Sequence, residues 1–539
     1  MSASGGLYRL SGGSLDARAA IGEKERIRTG PGAHAVLRLA DGSSVDVNER
    51  TDTDATGALA RRSVGGFLWT TVAWGSNRIV ILGLTLLLAR LLTPEDFGVV
   101  TAAVTIIAML DAALDLGVGA AVVARQEQGI TPATRMAMTI NLAISAAISV
   151  AGIAASPWIA AVFDAGAQAN VFALLFLYPL FRGAGQVSDA VLKRDLQFKR
   201  RTAIDLTRAA VRVAISVPLA LTVGGAISIA AGIVAGELVA MILLWILVPI
   251  RPAIRAHWHL APDLLRFGGL VTVIRVLGSV RASADYLVVG AMIGTTALGF
   301  YGMGYKLPEL IIENVLWIFS AVALSTYSKA RVISPDVLTA GMLRATRILS
   351  IYGLTAGATL AVIAPEAVPV LFSAQWAPAI TPMVFISLAL GLMAVGWASG
   401  DVFTATGRPG TLVALDVPAT VALIVGFVVA ADHGLVGVAL ALLIFNLLYC
   451  VARLALVRYA HGTSWRRLLT AVAPAVAIAV VTGGVGLLVR SFLPDGEFVT
   501  LVVVSLACAV AATGAGLVFA RSTVTDTLAL LRRRRVGAS

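Results

Sequence analysis

Charge is what this sequence has least of. Asp, Glu, Lys and Arg make up 13% of its 539 residues, where a soluble protein carries about 25%. Cysteine is almost missing: the two present, Cys450 and Cys508, both fall inside apolar runs, which excludes a disulfide framework and a cysteine-based metal site. Histidine numbers five. His34, His433 and His461 stand alone, and the His257-x-His259 pair has no third ligand nearby in the sequence. No G-x-x-x-x-G-K-[ST], H-E-x-x-H or G-x-S-x-G pattern occurs, so the chain reads as neither a nucleotide hydrolase nor a metalloprotease nor a serine hydrolase. The expectation is no enzyme, no cofactor and no metal.

What fills the chain instead is apolar sequence, 58% by count. It comes in runs of about 20–27 residues, each long enough to cross a roughly 30 Å hydrocarbon core as a helix. Fourteen spans are predicted, at about 65–90, 97–119, 135–160, 170–190, 203–222, 227–249, 268–293, 298–322, 348–372, 380–403, 411–430, 435–456, 468–489 and 498–520. The formal net charge of +12 would suggest nucleic acid in a soluble chain, but its distribution fits a membrane, and no nucleic-acid partner is expected.

Loops after even-numbered spans hold the cations: Arg125, then Lys193, Arg194 and Lys199–Arg201, then Arg251, Arg255 and Arg266, and on through Arg331, Arg408 and Arg466. Loops after odd-numbered spans read LTPED, FDAGAQ, TVGG, GTTA, SAQWAP and ADHG, with only Arg90 and Arg490 at span ends. Positive loops stay on the cytoplasmic side, so both termini are expected there, with the Arg532–Arg535 run against the anionic inner leaflet.

The first six spans and the next six share this rhythm. Gly75-Ser76-Asn77-Arg78 is echoed by Gly278-Ser279-Val280-Arg281, and a phenylalanine follows each arginine at the same interval, Phe97 and Phe300. Because six spans is an even number, both halves enter from the same side, as in transporters whose substrate path lies between two parallel bundles. The predicted fold class is therefore an all-α polytopic membrane protein, with about 14 transmembrane helices in two six-helix bundles plus two extra helices. A short β-hairpin-like N-terminal appendage precedes them. The predicted domains are 1–60, the bundles 61–250 and 251–460, helices 13 and 14 in 461–522, and a basic cytoplasmic tail, 523–539.

Ionisable side chains inside a bilayer cost roughly 2.5–3.5 kcal/mol each on insertion scales, so they face a wet cavity or a partner. The deep cations Arg78, Arg182, Arg275, Arg281 and Lys306 are candidates to line a substrate cavity that attracts an anion. Asp111, Asp115, Asp285, Glu309 and Glu313 are candidates for ion coupling or helix pairing. A bland reading stands beside this one: Arg281 and Asp285 are i, i+4 neighbours able to neutralise each other. Asp189, Asp205, Arg208 and Asp416 lie near span ends, where snorkelling removes most of the cost.

The stretch LLLARLLTPEDFGVVTAAVTIIAMLDAALDLGVGAAVVAR (86–125) resembles the opening of Wzx-type polysaccharide exporters, and more closely the WzxC-like branch of the multidrug/oligosaccharidyl-lipid/polysaccharide (MOP) flippase superfamily. The L-x-P-E-D-F-G turn (Leu92–Gly98), the D-L-G-x-G-x-A pattern (Asp115–Ala121), LGFYGMGYKLPELIIENV (298–315) and LKRDLQFKRR (192–201) carry the resemblance, which extends over roughly 60–522. It implies a flippase of the bacterial inner (plasma) membrane. Such a protein moves undecaprenyl-diphosphate-linked oligosaccharide by alternating access through a cationic central cavity, for exopolysaccharide or surface polysaccharide. The implied partners are that lipid-linked sugar, membrane lipids, and a polysaccharide polymerase with its export machinery. An ion-coupled multidrug exporter and a lipid II flippase of the same superfamily remain alternatives, and a membrane scaffold is a third. Residues 22–51 alternate at period two around Ala40-Asp41-Gly42-Ser43, a hairpin signal, and resemble a fragment of a FecR-type domain. With about thirty residues it is too small for a full core, and it reads as an appendage, a relic or a misassigned start.

Overall fold

The structure, a computed structural model, describes six short strands between residues 2 and 47, and then residues 75, 78–114, 132–195, 197–250, 252, 278–494 and 498–521. Asp115, Arg275, the first part of predicted spans 1 and 7, and the tail 523–539 lie outside the described residues. The chain divides into two units, Met1–Asn77 with Asp195–Leu206, and Arg78–Arg194 with Thr207–Ser539. In the first, β5 (His34–Arg38) pairs antiparallel with β6 (Ser44–Val47), Arg38 opposite Ser44. That is the hairpin expected around residues 40–43. Strand β1 (Ser2–Ser4) adds to β5 in one three-stranded sheet, and β2 (Leu7–Arg9), β3 (Ser14–Leu15) and β4 (Ile27–Thr29) form a second sheet in the order β3-β2-β4.

The second unit, together with residues 198–206 of the first, is helical, in fourteen segments among the described residues, one for each predicted span. They are α1 (78–91), α2 (Pro94–Leu114), α3 (Pro132–Val162), α4 (Gly166–Arg194, stepped at Phe176), α5 (Phe198–Thr222), α6 (Gly225–Leu247), α7 (278–293) and α8 (Thr295–Ile333). Then follow α9 (Pro335–Leu371), α10 (Ile380–Ala405), α11 (Pro409–Ala431), α12 (Gly434–His461), α13 (Trp465–Arg490) and α14 (Phe498–Phe519). Ten of these helices are long and apolar enough to cross a membrane. The described parts of α1, α2 and α7 stop short where they meet residues outside the description. Helix α5 carries Asp205, Arg208 and Arg212 within its apolar stretch.

Local sequence explains the helix starts. Thr93 and Asp96 form a reciprocal cap on α2: the Asp96 carboxylate accepts from the Thr93 N–H (3.0 Å) and hydroxyl (2.7 Å), and the Thr93 hydroxyl accepts from the Asp96 N–H (3.3 Å). Pro94 fills the first helical position, where its missing N–H costs nothing. The TPED turn is thus a helix-initiation sequence. Ser334 caps α9 in the same way, followed by Pro335.

Helices α3, α4 and α6 pack together with α2 beside them, and α8, α9, α10 and α12 form the second group. Helix α13 lies on α9, and α14 lies on α13 and α9, the peripheral position expected for the last two spans. The outward faces are apolar, with Val425, Leu448, Leu506 and Val510 all more than half exposed. A surface of that kind suits hydrocarbon rather than water.

The two groups meet where α2 crosses α8. A Cβ on Gly98 would lie 1.8 Å from the Thr295 carbonyl oxygen, and one on Gly299 would lie 1.9 Å from that of Pro94. Pro94 and Gly98 stand in α2 as Thr295 and Gly299 stand in α8, so the contact is self-complementary, as a two-fold axis between the halves requires. The half-repeat is therefore present at the helix crossing.

The same end of the molecule is closed by side chains that satisfy the last carbonyls of α1, which no intrahelical donor reaches. Trp376 donates to Ala89 O (2.8 Å), and Gln375 to Ala89 O (2.7 Å) and Leu92 O (3.2 Å). Trp376 is fully buried, with Phe97 and Phe300 edge-on to it at 5.2 and 6.0 Å.

Candidate functional site

Away from that seal, the two groups part around a cavity of about 570 Å³, within the size range of small-molecule sites. Both halves line it. Helix α2 contributes Ala108 and Asp111, α6 contributes Glu237 and Leu244, α7 contributes Gly278, Ser279 and Ala282, and α8 contributes Trp317. Helix α4 supplies most of the polar wall: Arg182, Gln186, Asp189 and Lys193 recur at the spacing that places side chains on one helix face. The Ser279 hydroxyl donates to Ala108 O (3.3 Å), joining α7 to α2 at the cavity edge.

Glu237 holds the first half of the site together. It is 3% exposed; Arg182 lies 3.5 Å from one carboxylate oxygen and Arg208 Nε lies 3.0 Å from the other. The arrangement exists because α5 and α6 approach closely. Gly232 and Gly236, one helical turn apart, face Ser216, Arg212 and the backbone of Arg208, where a Cβ would meet atoms at 2.0–2.9 Å. Asp189 and Lys193 pair at 2.7 Å further along α4.

The wall that results is mixed. Among the described lining residues Arg182 and Lys193 are cationic, and Asp111, Asp189 and Glu237 are acidic. The sequence led to a cationic cavity because it showed the deep arginines without their partners. Carboxylates from other helices sit beside them, since a charge away from water is retained only with a counter-charge.

Of the residues singled out by sequence, Arg182 and Asp111 line the cavity. Arg78 reaches across from α1 to Glu309 on α8 at 3.7 Å, with both side chains more than a third exposed. Arg281 turns into the second half. It donates to the Tyr449 hydroxyl (2.9 Å), lies 3.5 Å from Asp416 and stacks over the Tyr449 ring at 4.2 Å. Tyr449 donates to Asp416 and accepts from Arg453 Nε (3.0 Å). Asp285 does not pair with Arg281: it is buried, and accepts from the Tyr301 hydroxyl (3.1 Å) and the Tyr286 N–H (2.9 Å). Glu313 accepts from Trp317 Nε1 (3.3 Å), and Lys306 is exposed. Gln186, Asp189, Lys193, Glu237 and Trp317 were not selected. The four-residue polar stripe on α4 was the signal for the first three.

Comparison with known proteins follows from this fold. The polysaccharide biosynthesis protein family matches residues 87–381, more than half of the chain. The chain belongs to that family. It is similar to lipopolysaccharide biosynthesis protein WzxC of Escherichia coli (strain K12), 22% identical over 428 residues, covering 76% of this chain and 84% of the relative. It is also similar to teichuronic acid biosynthesis protein TuaB of Bacillus subtilis (strain 168), 23% identical, covering 65% and 73%. A third relative is succinoglycan biosynthesis transport protein ExoT of Rhizobium meliloti (strain 1021), 22% identical, covering 57% and 62%. Among solved structures, lipid II flippase MurJ in an inward closed conformation superimposes with a TM-score of 0.71 at 14% identity, over 85% of this chain and 100% of that one. An inward-facing multidrug resistance MATE family transporter of the MOP superfamily gives 0.57 at 16% identity, over 73% and 94%. At these identities the likeness is one of fold.

Proposed function

We propose that this protein is a flippase that carries oligosaccharide linked to a polyprenyl diphosphate across the bacterial inner membrane by alternating access, supplying polysaccharide synthesis. The observation that carries the reading is the polar cavity bounded by both halves of a polysaccharide-family chain and closed at one end by the α2–α8 crossing. With the termini and basic loops in the cytoplasm, the closed end is the outer one, and the cavity is loaded from inside. Domain limits near 61–250 and 251–460, with helices 13 and 14 flanking, suit that cycle. No bond is made or broken.

The mixed wall suits such a cargo. Arg182 and Lys193 in the wall, and Arg78 beyond it on α1, offer charge to the diphosphate, while Gln186, Asp111, Asp189 and Glu237 offer the acceptors that a hydroxyl-rich sugar needs on leaving water. The polyprenyl tail stays in lipid. A diphosphate carries about two negative charges, and each is worth about 2.3 kcal/mol per 100 mV, so outward movement is downhill against an inside-negative potential.

A deletion strain is expected to lose surface or exopolysaccharide and to accumulate the lipid-linked repeat unit in its inner leaflet. Normal polysaccharide with raised drug sensitivity would sink the reading in favour of drug export. In the complemented strain Arg78→Glu is expected to abolish export at normal protein level, and Arg78→Lys to keep part of it. The exposed pair with Glu309 stabilises by no more than about 1 kcal/mol, so wild-type export by Arg78→Ala would make the residue structural.

A further inference from the structure

We propose that Trp317, braced by Trp397, is a sugar-stacking subsite in the central cavity, separate from the cationic groups that meet the diphosphate. The subsite rests on the transport reading above and adds to it the place where the carbohydrate itself is held.

Trp317 is 59% exposed although it belongs to a membrane-crossing helix, and it lines the cavity. Its open face is therefore available to whatever enters that space. The ring is held in place from two sides. Trp397 of α10 meets it edge to face, with centroids 5.4 Å apart and planes at 82°. Its Nε1–H is already donated to Glu313, one helical turn earlier at the end of the π turn Glu309–Glu313, a kind of irregularity found frequently at functional sites. Trp397 is itself fixed: its Nε1 donates to Ser320 Oγ (2.7 Å), which donates to Asp401 Oδ2 (2.8 Å). With its donor engaged and its edge supported, Trp317 offers the cavity a π face in a set orientation.

A pyranose ring matches that surface. Its flat sides present C–H groups of slight positive charge, which the negative face of an indole attracts, and its rim presents hydroxyls. The rim needs acceptors and donors, and Gln186, Asp189 and Glu237, from α4 and α6, line the same cavity. An aromatic face against a polar wall is the pairing that an amphipathic sugar ring requires. An alkyl chain would use the indole and leave the carboxylates facing hydrocarbon.

The test is binding to the full-length protein in nanodiscs with two probes, undecaprenyl diphosphate without sugar and undecaprenyl-diphosphate-linked oligosaccharide extracted from the host. Trp317→Leu keeps apolar bulk without a π face, and Trp317→Phe keeps a smaller one. Trp317→Leu is expected to weaken the glycosylated probe about 10-fold and the sugar-free lipid less than about 2-fold, with Trp317→Phe in between. Equal weakening of both probes, or of neither, overturns the subsite while leaving the transport reading standing. Failure of the wild-type protein to bind either probe overturns both. An unchanged melting temperature for Trp317→Phe separates loss of the face from loss of fold.

Discussion

Glu237→Leu is expected to destabilise the protein by about 3–5 kcal/mol and to abolish transport. The substitution removes the carboxylate between Arg182 and Arg208 and leaves two cations facing each other inside a membrane helix bundle. Breaking a buried pair by deleting one partner costs this much because the remaining charge keeps its desolvation penalty and loses its compensation. Glu237→Gln is expected to cost less, since the amide oxygen still accepts a hydrogen bond from one guanidinium. The measurement is thermal unfolding of the purified protein in detergent, with protein level in membranes as a second readout. The triple substitution Glu237→Leu, Arg182→Met, Arg208→Met should recover much of the stability and none of the transport. Wild-type melting for Glu237→Leu would show that the three residues do not act as a buried unit.

The second large effect lies at the sealed end. Gly98→Val would put a branched side chain where even a Cβ stands 1.8 Å from Thr295 O. Backbone is on both sides, so no rotamer change makes room, and α2 and α8 must separate by roughly 1.5 Å to reach ordinary contact. Prying the two apart also strains the packing of Phe97 and Phe300 around Trp376. The expected result is more than 10-fold loss of transport, with a cysteine placed at the buried Thr295 (6% exposed) becoming reactive to a membrane-impermeant thiol reagent in whole cells. Gly299→Val should do the same, because the contact is reciprocal. Unchanged export and no new reactivity at residue 295 would mean that this crossing is not part of the gate.

Much of the helical framework was legible residue by residue. Apolar run length located the spans, and the rhythm of Lys and Arg in the loops separated the two kinds of loop; Thr93-Pro94-x-Asp96 read as a loop and is in fact the capped start of α2. These signals are local: each depends on a few adjacent residues and on the solvent they meet. The reciprocal contact of Gly98 and Gly299 was only half visible, since the shared Gly-Ser-x-Arg pointed to a repeat but not to the residues at which its two halves touch. A single matching tetrapeptide has no steric consequence, whereas a backbone crossing with no room for a Cβ has one.

The partners of the charges were not legible. Arg281 has Asp285 one turn away on its own helix, yet it reaches Asp416 and Tyr449 on α11 and α12, and Asp285 is held by tyrosines instead. Arg208 and Asp416 read as snorkelling residues near span ends, and in the fold each belongs to a network between helices. Glu237, Arg182 and Arg208 come from three helices, and no spacing rule connects them. The sequence by itself determined that this is a many-span, helical, two-half membrane protein, because hydrocarbon accepts only long apolar helices and sorts their loops by charge. Which arginine meets which carboxylate, and that acids stand beside the cations among the described residues of the cavity wall, only the tertiary structure decided. Ion pairing falls off over a few ångströms, and those distances exist only once the helices have packed.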